Sequence, residues 1–89
     1  MTNELTKFFC DKRIGAELSE SLQHITTSFF NRGKSSLQFI INDLREMHGV
    51  NITDLQLLEY IRTLEELDLI KVDTTNSLYH LTEKGYNLY

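Results

Sequence analysis

Apolar residues recur at helical spacing along most of the chain, and the period shortens to that of strands only past residue 68. From Ala16 to Phe30, Leu18, Leu22, Ile25 and Phe29 lay one stripe along a helix. Upstream, Leu5, Phe8 and Phe9 mark 4–10 as a short helix of its own, or as the start of a longer one that Gly15 fails to break. Ser35 and Gln38 have the spacing of a capping box at a helix start. Leu37, Ile40, Ile41, Leu44 and Met47 form the next stripe, and Gly49 ends it just past His48. Thr53 and Gln56 repeat the box, with Ile52 and Leu57 placed as a hydrophobic staple. A helical wheel over Asp54 to Leu67 puts Leu57, Tyr60, Ile61, Leu64 and Leu67 on one face. Leu55, Leu58, Glu59, Arg62, Glu65 and Glu66 fall on the other.

The run Leu69 to Asp73 is strand-like, with β-branched Ile70 and Val72. Thr74 to Ser77 is a polar turn, and Leu78 to Leu81 is a second strand. Thr82 can cap a short helix running to Tyr89. The expected class is therefore mainly α with a small β-hairpin. Three or more helices precede a two-stranded wing and a short C-terminal helix, the order of a winged helix-turn-helix. One domain is expected over 1–89, with an extension at 1–15, the helix-turn-helix at 35–67 and the wing at 69–82.

Two segments carry a family resemblance. Leu64-Glu65-Glu66-Leu67-Asp68-Leu69-Ile70 and Tyr79-His80-Leu81-Thr82-Glu83-Lys84-Gly85 resemble the end of the recognition helix and the wing of MarR- and PadR-type regulators. The resemblance spans roughly residues 35 to 85 and implies a DNA-binding regulator. In such regulators flanking elements form the dimer seam, so a homodimer through Leu5, Phe8, Phe9, Tyr86 and Tyr89 is the matching expectation.

Composition narrows the setting. Eighty-nine residues hold one domain that buries only about 60–65% of its unfolded surface, so dimerisation would add stability. A lone cysteine, Cys10, cannot close an internal disulfide, which favours a cytoplasmic protein. Met1-Thr2-Asn3-Glu4 lacks a basic stretch leading into an apolar run, so no signal peptide is expected. No apolar run approaches a membrane span.

Enzymatic motifs fail on context. Gly33-Lys34-Ser35 looks like the tail of a phosphate-binding loop, but Ser28 stands where the first glycine belongs and a helix precedes it. No nucleophile-elbow glycine pattern occurs, and Cys10 has no histidine at a recognisable catalytic spacing. His24, His48 and His80 fall on different elements without ligand spacing, so no metal, cofactor or small-molecule ligand is expected. A non-enzymatic binding module remains.

Two partners fit such a module. For double-stranded DNA, the helix at 54–67 would enter the major groove. Arg32, Lys34, Ser35 and Ser36 would hold a phosphate at a helix N-terminus, while Thr53, Gln56, Arg62 and Thr63 supply the side chains that touch bases or backbone. Against it stand a net charge of −4, a wing tip without lysine or arginine, and Leu55, Leu58 and Glu59 on the outer helix face. Glu59 and Glu66 also flank Arg62 and would partly satisfy its charge. The alternative is therefore a protein-interaction module, such as an adaptor or antagonist of phage or plasmid origin, docking through Leu55, Leu58 and Glu59.

The second capping box gives a direct test. Thr53→Ala is expected to cost about 1 kcal/mol, read as a lower urea midpoint. An unchanged transition would place the start of that helix elsewhere.

Overall fold

The computed structural model describes residues 3–89. Met1 and Thr2, which open both the 1–15 extension and the stretch read for a signal peptide, lie outside the described residues. Helices α1 (Asn3–Asp11), α2 (Ala16–Arg32), α3 (Leu37–His48) and α4 (Asp54–Glu66) precede β1 (Ile70–Asp73), β2 (Leu78–Leu81) and α5 (Glu83–Asn87). This is a mainly helical α+β protein of winged-helix-like layout, as the pattern of apolar residues predicts.

Local chemistry sets most of the boundaries. The chain breaks between α1 and α2 at Arg13, which adopts a positive φ of 60°. Gly15 is extended at φ −61° and uses none of a glycine's extra freedom. Gly49 does use it, closing α3 in the left-handed region at φ 65°. At α4 the capping box is complete: Gln56 N donates to Thr53 Oγ1 at 3.2 Å, and Thr53 N donates to Gln56 Oε1 at 3.0 Å. Thr82 caps α5 by accepting from Gly85 N at 3.1 Å.

The start of α3 differs from expectation by one residue. Ser36 is the cap, accepting from Phe39 N, and Gln38 turns instead to Asn42. Ser35 is drawn off into the sheet. Its N–H donates to the Tyr79 carbonyl at 2.9 Å and Tyr79 N–H returns a bond of 2.8 Å. The hairpin itself pairs Ile70 with Leu81, Lys71 with His80, Val72 with Tyr79 and Asp73 with Leu78. The α2–α3 turn thus adds a third, single-residue rung beside β2.

Every helix from α1 to α4 feeds one core: Leu5 and Phe9; Leu22, Ile25 and Phe29; Ile40, Ile41 and Leu44; Leu57, Ile61 and Leu64. Leu69, Ile70 and Leu81 close it from the hairpin side. Each such side chain is worth about 1.5–3 kcal/mol relative to leaving it in water, which holds α1 to the bundle despite its nine residues. Two stripe positions lie outside the core. Leu18 and Met47, at the ends of their stripes, are exposed, and so are the aromatics Phe30 and Phe39.

One close approach explains a glycine in the second resemblance segment. A Cβ at Gly85 would sit 2.7 Å from the Leu69 carbonyl oxygen, which already accepts from Thr82 N. Backbone cannot move aside there without disturbing the turn after α4. Gly85→Ala is expected to cost about 1–3 kcal/mol in urea or thermal unfolding. Gly15→Ala, with open space around the added carbon but a poorer N-cap for α2, should change stability by less than about 0.5 kcal/mol.

Candidate functional site

The two cations of the α2–α3 turn are both engaged. Arg32, at the last position of α2, donates from Nε (3.1 Å) and from a terminal nitrogen (2.7 Å) to a single oxygen of Asp43 on α3. The Asp43 side chain is only 6% exposed. Burial pushes its carboxyl up, but the nearby Ser28 hydroxyl, the Arg32 hydrogen bonds and the charges of Arg32 and His48 outweigh it and hold the group below the usual carboxylate range. Ser28 Oγ is fully buried and makes no hydrogen bond, so it acts on the carboxylate as a neighbouring dipole. Arg32 also lies 5.4 Å over the Phe39 ring.

Lys34 reaches across to the wing and meets Asp73 at 3.2 Å. That hydrogen bond, with help from the Thr75 N–H, the Lys34 charge and Asn76, holds the Asp73 carboxyl below its ordinary value against the opposing effect of desolvation. Ser35 is buried in its bridge to Tyr79 and offers no face to a phosphate, which corrects its assignment as a contact residue. Ser36 spends its hydroxyl on the α3 cap.

On α4 the buried residues Leu57, Ile61 and Leu64 set the direction of the core, and a ridge of Leu55, Glu59, Arg62 and Glu66 points the opposite way. Leu55 is 76% exposed, while Leu58, at the flank, is half-buried. Thr53 and Gln56 are held by the capping box, and Thr63 Oγ1 donates to the Glu59 carbonyl at 3.2 Å. Arg62 differs from expectation. Among the described residues it has no carboxylate within 4.0 Å, so Glu59 and Glu66 flank it without pairing.

Two of the five residues of the expected dimer seam are absorbed by the fold. Leu5 and Phe9 are fully buried in the chain's own core, because α1 packs its apolar face onto α2. Phe8 is half-buried, with the ammonium groups of Lys84 and Lys12 at 5.1 and 5.5 Å from its ring. Tyr86 and Tyr89 are exposed and pack on Phe30, the Phe30–Tyr89 pair stacked at 4.3 Å. Partial burial of Tyr89 pushes its phenol up, offset in part by its hydrogen bond with Thr27.

The histidines behave differently from their sequence positions. His24 and His48 meet across α2 and α3 with ring centroids 4.5 Å apart, and Glu20 lies 3.6 Å from His24. Only a side-chain direction on each helix decides that contact, and sequence spacing carries no sign of it. His80 is half-buried beside the Leu81 carbonyl and does not face solvent freely. A groove of about 590 Å³ runs between α1 and α2, with Thr6, Cys10, Gln23 and His24 on its walls. Gln23 bridges it, accepting from Thr6 and donating to Ser19. Among the described residues no three His, Cys, Asp or Glu side chains gather as metal ligands. No helix there is long and apolar enough to cross a membrane.

Comparison of the chain with family models, curated proteins and solved structures finds no match.

The two ion pairs differ in what they shield, and so in what they are worth. Arg32→Ala strands a buried carboxylate and is expected to cost about 1–3 kcal/mol, toward the lower end because the guanidinium is half in water. Lys34→Ala should change stability by less than about 0.5 kcal/mol. With its native pKa depressed, Asp43 contributes stability above about pH 4 that disappears as the pH falls through the native value. An acid-unfolding profile of Asp43→Asn should lack that share of the loss; equal profiles would remove Asp43 as its source.

Proposed function

We propose that this chain is a protein-docking module of winged-helix-like layout, with α4 as its docking helix. The observation that carries the reading is the outward ridge of α4. A helix that enters the major groove meets base edges and phosphates, and it does so with donors and cations. Here the ridge presents Leu55, Glu59 and Glu66 around a single arginine, and Asp54, Glu65 and Asp68 are exposed around it. Carboxylates so placed repel the phosphate backbone, which supplies most of the affinity of DNA-binding proteins.

The flanking elements agree. Arg32 is committed to a buried partner and Lys34 to a wing carboxylate. The wing tip, Thr74 to Ser77, has neither lysine nor arginine. A largely exposed leucine such as Leu55 is the kind of side chain that anchors a protein interface once water is excluded from it. No catalytic role is proposed.

A second reading, the DNA-binding regulator, draws on the layout itself and on two of the cations that have no ion-pair partner among the described residues, Arg62 on α4 and Lys71 on β1. Anisotropy of labelled, mixed-sequence duplex DNA, titrated from low to physiological salt, separates the two. The docking reading expects no saturable binding at micromolar protein. Binding that weakens steeply with salt and is lost in Arg62→Glu would replace it with the DNA reading.

A further inference from the structure

Resting on the docking reading, we infer that the surface α4 meets is a cationic protein face with an apolar socket for Leu55. The charge of the chain is not spread over it. Residues 54–68 hold Asp54, Glu59, Glu65, Glu66 and Asp68 against Arg62 alone, a local charge of −4 and equal to that of the whole chain. Thirteen acidic residues less these five leaves eight, and nine basic residues less Arg62 also leaves eight. The rest of the molecule is balanced, and its field originates on α4.

All five carboxylates are exposed, and none forms an ion pair within 4.0 Å among the described residues. Of the eight acids elsewhere, Asp43 holds Arg32, Asp73 holds Lys34 and Glu20 approaches His24. The chain's excess negative charge therefore lies on α4 and the turn after it, without an internal counter-charge at its carboxylates. Complementarity calls for lysines and arginines on the occupant, and it works against nucleic acid and anionic lipid on this face.

Charge alone would admit any polycation, and Leu55 narrows the choice. It is the most exposed of the large apolar side chains among the described residues, and it opens the ridge on which Glu59 and Glu66 follow. A small polyamine would bind the carboxylates and be indifferent to Leu55. A folded or helical protein segment can offer a pocket for Leu55 and cations on its rim. Exposed charges are screened over about 8 Å at physiological salt, so the carboxylates steer and select while the buried leucine slows release.

The test uses the full chain, labelled with ¹⁵N, and three synthetic peptides of equal length. One is an amphipathic Leu/Lys helix, one its Leu/Glu counterpart, and one a Ser/Lys peptide without the leucines. The Leu/Lys peptide is expected to shift the amides of 55–66, with affinity that falls about tenfold or more between low and physiological salt. Leu55→Ser should weaken it about tenfold, and Glu59→Lys with Glu66→Lys should abolish it. All three positions are exposed, so the variants keep the fold.

Four results would overturn the inference: equal binding of the Leu/Glu peptide, equal binding of the Ser/Lys peptide, shifts confined to other elements, or no binding of any peptide at low salt. Each of these leaves the docking reading standing. If duplex DNA shifts the amides of α4 instead, both fail together.

Discussion

Two backbone hydrogen bonds between Ser35 and Tyr79 join the α2–α3 turn to the hairpin, and the side-chain pairings around that turn are built on them. Ser35 stands just before α3 and Tyr79 lies on β2, so the pair fixes the α2–α3 turn against the wing. With that turn held, Lys34 reaches Asp73 and Ser36 is free to cap α3. Arg32, one turn earlier, is brought over Asp43. The two cations that stood ready for a phosphate are thus each paired with a carboxylate of the chain, though both remain about half in water.

The elements were legible because their signals are local. Capping residues, the left-handed Gly49 and the apolar stripes act within one or two turns of chain, and α4 starts where Thr53 and Gln56 place it. The start of α3 was off by one because Ser35 and Ser36 are equally good caps in isolation. The long-range bridge to Tyr79 decides between them. Burial was legible in the middle of each stripe and less so at its ends. Leu18 and Met47 share a face with core residues but lie where the neighbouring element has already run out.

The candidate site divides along the same line. Leu55, Glu59 and Glu66 face outward as the helical wheel requires, since the wheel needs only the direction of the core. Partnerships between elements were not legible: Arg32 with Asp43, His24 with His48, and the burial of Leu5 and Phe9, which takes two residues out of the expected dimer seam. Each depends on how two helices are set against one another, which no spacing along a single strand of sequence records.

The Ser35–Tyr79 bridge also turns the stretch between them into a closed circuit of backbone that contains α3, α4 and most of the hairpin. The entropy of closing such a circuit grows only with the logarithm of its length, about 0.6 kcal/mol for each doubling. A residue or two added at the wing tip, Thr74 to Ser77, therefore barely changes the cost of closure. The tip lies beyond the Asp73–Leu78 rung and touches none of the core. This is where the architecture leaves descendants of the sequence free to lengthen and diversify, while the clamp at its base keeps α4 in place.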